Sequence, residues 1–131
     1  MNARQYKQDN ENFLQEVSQR GNVKSLPKGI YYEVMKTGEG KQPAANSIVS
    51  VYYKGMLISG KVFDDNASQG YPDAFRLSDL ITGWQIALTN MHAGDQWRVY
   101  IPSSMGYGAM SSPGIPKNST LIFEIELVCV M

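Results

Sequence analysis

Five aromatic residues stand where a chain could use them to build a slot as well as a core. Tyr53, Phe63, Trp84 and Phe123 fall near the ends of regular segments, and Tyr107 lies inside a long loop. Phe63 is followed at once by a carboxylate, Asp64. Rings of this kind around a few placed polar groups make an apolar pocket, a site that needs neither metal nor nucleophile. Aromatics are 11% of the chain, and most of them belong in the core. The pocket reading is confined to these five.

Other chemistries find little support. The single histidine, His92, has no cysteine or second histidine placed to join it in a zinc site, and no G-x-S-x-G turn accompanies it. A solvated histidine at a helix end is the expectation. Gly106-Tyr107-Gly108 does not extend into a dinucleotide fingerprint. Asp64 and Asp65 are neighbours in an extended segment, so they point to opposite faces and need not share a proton or a metal. Asn66-Ala67-Ser68 and Asn118-Ser119-Thr120 match glycosylation acceptors by chance. No metal and no cofactor is expected.

The elements that must hold the aromatics follow from periodicity. Residues 2–20 read as a helix capped by Asn2, with Gly21 as a left-handed C-terminal residue and an apolar stripe of Tyr6, Phe13, Leu14 and Val17. That stripe either docks on the rest of the chain, the favoured reading, or meets a partner helix in a dimer. Period-two segments follow at 30–35 and 47–57, then a Ser59-Gly60 turn returns through Lys61 to Asp64. A short strand is expected at 74–77. Thr82 and Gln85 read as a capping box for a helix whose inner stripe is Trp84, Ala87, Leu88 and Met91. Two further strands carry Trp97, Val99 and Ile101, then Leu121, Phe123, Ile125 and Leu127. Between them run seventeen residues, Ser103 to Ser119, rich in Gly, Ser and Pro. Loops of that length are commonly functional.

Composition bounds the rest. A chain of 131 residues with 43% hydrophobic and 18% charged residues is one globular domain. Its 12 basic and 12 acidic residues cancel, which leaves no footprint for a nucleic acid. Cys129 reads as a buried, inert thiol. No run is long and apolar enough to be a signal core or a membrane span. The sequence as it stands therefore reads as cytoplasmic, and as periplasmic or surface-anchored if a signal segment was removed.

The motifs then become recognisable. Val51-Tyr52-Tyr53-Lys54-Gly55-Met56-Leu57 followed by Gly60-Lys61-Val62-Phe63-Asp64 resembles the V-x-Y-x-G-x-L…G-x-x-F-D signature of FKBP-type peptidyl-prolyl isomerases. Ile81-Thr82-Gly83-Trp84 resembles the lead into that family's central helix, and Ile101-Pro102 through Tyr107-Gly108 its I-P-x-x-x-x-Y-G block. Ile115 to Leu127 follows its last loop and strand. Phe13-Leu14 and the run Leu26 to Tyr32 are similar to bacterial members of the macrophage-infectivity-potentiator type.

The resemblance implies an α+β fold: a strongly bent antiparallel sheet wrapped around one short central helix, preceded by an N-terminal helix. It implies a division into a lead-in, 1–27, and an isomerase domain, 28–131. It implies isomerisation of X-Pro bonds in peptides and folding proteins, through desolvation and a twisted amide. Asp64, Tyr107 and Ile81 take the catalytic roles by this match. Tyr53, Phe63, Leu80, Trp84, Ile115 and Phe123 hold the substrate. The implied partners are proline-containing peptides, unfolded clients, macrolide inhibitors and a second copy bound through the N-terminal helix. Asp73, Gln69 and Ser112 depart from the family pattern at the rim, and Phe75 either replaces a wall aromatic or points into the core. A binding module without catalysis, and a helix-mediated dimeric chaperone, are the competing readings.

Overall fold

Alternation of apolar and polar residues builds one sheet at the centre of this chain, and the two helices lie on opposite faces of it. The structure, a computed structural model, describes residues 2–131. The elements are α1 (Ala3–Val17), β1 (Lys24–Leu26), β2 (Ile30–Lys36), β3 (Ile48–Met56), β4 (Val62–Asp65), β5 (Asp73–Arg76), α2 (Thr82–Leu88), β6 (Gln96–Ile101) and β7 (Leu121–Val130). The strands form one antiparallel sheet of order β1-β2-β6-β7-β3-β4, with β5 also pairing β3. The last strand in sequence is thus an inner one, between β6 and β3.

One face of the sheet holds the core. Val49, Val51, Val99, Ile101, Leu121, Ile125 and Leu127 are buried there against Trp84, Ala87, Leu88 and Met91. The expected inner stripe of the central helix is therefore correct, although Met91 lies just past the helical residues. α2 sits close because Gly83 faces Ile101, where a Cβ would come within 2.5 Å of a methyl carbon. Any larger residue would push the helix off the sheet.

The other face carries α1. Tyr31, Tyr100, Ile122 and Met56 align across four neighbouring strands, and Phe13, Leu14 and Val17 pack on that row. Asn10, only 1% exposed, accepts from the Thr120 N–H at 2.8 Å and donates to the Tyr6 carbonyl at 2.8 Å. The Tyr6 hydroxyl shares a hydrogen bond of 2.6 Å with that of Ser119. The apolar stripe of α1 is spent on its own sheet, as the docking reading expected.

Four expectations need correction. The first helix stops at Val17, not near Arg20, and Gly21 has no positive φ. Asn2 does cap it, accepting from the Gln5 N–H at 2.8 Å, but the last turn closes through Ser18, whose N–H donates to the Leu14 carbonyl. Thr82 is not a cap, because Ile81 occupies the cap position and the Gln85 amide donates to the Leu80 carbonyl at 2.7 Å. The strand 24–26 was too short and polar to register as a period-two segment. Cys129 is exposed. The register between β3 and β7 slips between Ser50 and Val51, which inserts Val128 as an extra residue and turns Cys129 outward.

Candidate active site

The aromatics meet between α2 and the sheet. Trp84, 4% exposed, forms a floor approached edge-on by Tyr53 at 5.2 Å and 82°, Phe123 at 5.2 Å and 88°, and Phe75 at 6.2 Å and 87°. Phe63 in turn meets Phe123 at 5.6 Å and 89°. Edge-to-face contacts of this kind are favourable. Perpendicular rings also leave gaps that parallel ones close, as the pair Tyr32 and Trp97 does at 4.0 Å and 18°. The gap here is a cleft of about 330 Å³, within the range of small-ligand pockets.

The backbone beneath these rings is built for them. Tyr53 and Gly55 share the inward side of β3, and Gly55 lies opposite Phe123 in register. A Cβ at Gly55 would stand 2.7 Å from both the Phe123 and Phe63 rings. Only a glycine lets both rings lie over the strand. Next to it β3 faces a discontinuity, because β4 pairs with it at 54–56 and β5 at 48–51. Asn66 fills the break. Its side chain accepts from the Tyr53 N–H at 2.6 Å and donates to the Val51 carbonyl at 3.1 Å and the Asp73 carboxylate at 2.9 Å. One buried amide thus does what a strand backbone would do there. Sequence reading missed this role, because an asparagine in a loop after a strand carries no signal beyond a sequon match.

The polar groups are few. The Tyr53 hydroxyl donates to the Asp64 carboxylate at 2.8 Å. Burial, and then that hydrogen bond, hold the Tyr53 hydroxyl well above the ordinary phenol range, so it stays a donor. Tyr107 is 38% exposed, and its hydroxyl has no partner among the described residues. The N–H of Ile81, in the extended residue just before α2, is likewise unpartnered among the described residues. Two unpartnered donors therefore belong to residues that line the apolar slot, with one carboxylate tied into its wall.

Of the residues named from the sequence, Tyr53, Phe63, Asp64, Leu80, Ile81, Trp84, Tyr107 and Phe123 all line this cleft. Ile115 does not. It is buried, and it borders a neighbouring depression with Leu57, Lys61, Ser112 and Gly114. Phe75 and Asp79 join the lining. Phe75 is thus a wall aromatic, one of the two alternatives the resemblance left open. At the rim, Asp73 is occupied by Asn66, and the Gln69 amide donates to the Tyr71 carbonyl. Among the described residues no group of three or more His, Cys, Asp or Glu could hold a metal ion, and no helix is long and apolar enough to cross a membrane.

A bent antiparallel sheet closed over a short helix, with an aromatic cleft between them, is the architecture of prolyl isomerases of the FKBP class. The profile of that family, FKBP-type peptidyl-prolyl cis-trans isomerase, matches residues 39–128, and this chain belongs to it. It is 41% identical over 119 residues to the peptidyl-prolyl cis-trans isomerase Mip of Coxiella burnetii, a match covering 90% of this chain and 52% of that one. It is 43% identical over 108 residues to FkpA of Escherichia coli K12, covering 82% and 40%. The chain spans about half the length of the curated relatives it matches. A crystal structure of a peptidyl-prolyl cis-trans isomerase from Pseudomonas syringae superposes with a TM-score of 0.91 at 37% identity, covering 99% of this chain and 96% of that one. FkpA from Escherichia coli also superposes with a TM-score of 0.91, covering 98% and 60%.

Proposed function

We propose that this chain accelerates cis–trans isomerisation of X-Pro peptide bonds in peptides and folding proteins, without a covalent intermediate. The observation that carries the reading is the cleft floored by Trp84, with the two unpartnered donors Ile81 N–H and Tyr107 hydroxyl at its edge. Rotation about the bond crosses a barrier of about 18–20 kcal/mol, because resonance keeps the amide planar. A proline ring seated against Trp84, Phe63 and Phe123 takes its amide out of water. The carbonyl loses its hydration and the twisted, less conjugated amide is favoured relative to the planar one. Ile81 N–H and Tyr107 hydroxyl hold neighbouring carbonyls and fix the twist. Asp64 keeps the Tyr53 wall in place and supplies a negative field beside the carbonyl carbon.

The test is isomerisation of an X-Pro peptide by the wild type and by folded Trp84→Ala and Phe63→Ala variants. Acceleration by the wild type and its loss in the variants is expected. A wild-type rate equal to the spontaneous one overturns the enzyme reading and leaves a binding module. An Asp64→Asn variant with full activity and unchanged melting would remove Asp64 from the mechanism.

Residues 28–131 are taken as the isomerase unit and 1–27 as its lead-in. For α1 we favour docking over a homodimer, since the buried contacts of Asn10 and Val17 support it. Light scattering of the full chain against residues 23–131 tests this, and a dimer lost on truncation would reverse it. The size and apolar lining of the cleft support macrolide binding, read by inhibition of the same assay. A relative named Outer membrane protein MIP, from Legionella longbeachae and 38% identical over 129 residues, supports an extracytoplasmic setting. Fractionation of the producing cell tests that setting against the cytoplasmic one.

A further inference from the structure

Two carboxylates line the aromatic cleft, Asp64 and Asp79, and none of its lining residues is a lysine, arginine or histidine. The two are held differently. Asp64 accepts from the Tyr53 hydroxyl. Asp79, on the 3-10 turn Leu77–Asp79 that precedes α2, is exposed and has no hydrogen-bond or ion-pair partner among the described residues.

The basic side chains nearest in sequence or register are turned away. Arg76 alternates with Phe75 along β5, and its guanidinium reaches the Asn46 carbonyl at 3.5 Å. Lys54 alternates with Tyr53 and borders a depression with Glu124 and Glu126 on the opposite face. Lys61 lies at the hairpin turn, beside the depression that Ile115 borders. The whole chain has a formal net charge of zero, so the negative character of the cleft is local.

We propose that Asp79 is a specificity-determining residue of the isomerase site, selecting substrates with a cationic side chain next to the proline and disfavouring acidic ones. The inference rests on the isomerase reading given above. Asp79 precedes Ile81 by two residues, which sets an upper reach of about 7 Å along the backbone. A peptide carbonyl seated on the Ile81 N–H therefore brings the adjoining substrate side chain beside Asp79. Apolar walls on one side of the pair focus its field. Attraction of lysine and repulsion of glutamate add, giving a preference of about three- to tenfold at low salt that shrinks as salt screens it. Asp79 also sits near the N-terminal end of α2, where a negative charge favours the helix. That role alone changes melting and leaves substrate ratios untouched.

The experiment measures kcat/KM at low and at physiological salt for two pairs of X-Pro peptides. One pair differs by Lys or Glu before the proline, the other by Lys or Glu after it. The enzymes are the wild type, Asp79→Asn and Asp79→Lys; the exposed, unpartnered position lets all three fold. The expected result is a Lys-over-Glu ratio of about three to ten at one of the two positions. It falls toward one in Asp79→Asn or with added salt, and inverts in Asp79→Lys. A wild-type ratio of one at both positions, or a ratio that Asp79→Asn leaves intact, overturns the proposal. If no peptide is accelerated, the isomerase reading falls by itself, and tryptophan-fluorescence titration with the same peptides decides the charge selection. A Lys/Glu affinity ratio abolished by Asp79→Asn supports the role of Asp79, and equal affinities overturn it.

Discussion

On the concave face of the sheet, Trp84 receives Tyr53, Phe75 and Phe123 edge-on, and the rings leave a cleft between them. On the convex face, Phe13, Leu14 and Val17 of α1 fill the row Tyr31, Tyr100, Ile122 and Met56. Each face has a buried asparagine, Asn66 or Asn10, that replaces missing backbone partners. Each also has a tyrosine whose hydroxyl donates to a carboxylate at 2.8 Å, Tyr53 to Asp64 and Tyr100 to Glu33. The parts match and the outcome differs. On the convex face Leu14 and Val17 fill the relief around the tilted pair Phe13 and Tyr100, whereas rigid rings held perpendicular over Gly55 cannot close the space they frame. Openness on one face is a packing result, set by ring geometry and two glycines.

Paired substitutions test that contrast. The largest effect is expected from Trp84→Ala, about 3–5 kcal/mol in urea unfolding, with kcat/KM on a prolyl peptide lowered about a hundredfold, or ~2.7 kcal/mol of barrier. Val17→Ala on the other face should cost about 1–3 kcal/mol and leave kcat/KM of the folded protein unchanged. Equal loss of activity in both would mean that the faces are not separate. Next come Asn66→Ala and Asn10→Ala, each destabilising by about 1–3 kcal/mol through the buried groups they orphan. Only the first is expected to slow catalysis, because only Asn66 holds Tyr53.

The smallest pair is Tyr53→Phe and Tyr100→Phe, about 1 kcal/mol each. Burial, then the bond to Asp64 or Glu33, raises both phenols above their ordinary value of 10.0 in the folded state. The unfolded chain then loses these protons first as pH rises. Their contribution is complete below pH 10 and declines above it. Thermal melts in alkaline buffer should therefore fall less steeply for either phenylalanine variant than for the wild type. A drop of unchanged slope would dissociate the tyrosines from alkaline unfolding. At neutral pH only Tyr53→Phe should alter kcat/KM.

Much of the concave face could be read from the chain before any coordinates. Period-two segments put Val49, Val51 and Tyr53 together, and Phe123 with Leu121 and Ile125. The helical stripe of Trp84, Ala87, Leu88 and Met91 faced them correctly. What escaped were features that break a period or lie outside one. A single inserted residue at Val128 reversed Cys129. Asn66 works through its amide, so hydropathy does not mark it. Asp79 and Phe75 reach the cleft from a short turn and a four-residue strand, where neither helix nor strand spacing fixes direction. Ile115 matched a motif, but the turn closed by its bridge to Ser112 sets it beside the cleft, not in it.

The inner position of β7 has a consequence for how the molecule comes into being. Residues 121–130 leave the ribosome after every other strand of the sheet, yet they join the β1-β2-β6 half of the sheet to the β3-β4-β5 half. The anchors of α1, Ser119 and Thr120, emerge just before them, more than a hundred residues after Tyr6 and Asn10. During synthesis the two halves have no strand to share and the first helix has no dock. Long-range closures of this kind are slow. Folding is therefore expected only once residues 121–130 have emerged, and a nascent chain halted before residue 121 should stay protease-sensitive until that strand is supplied.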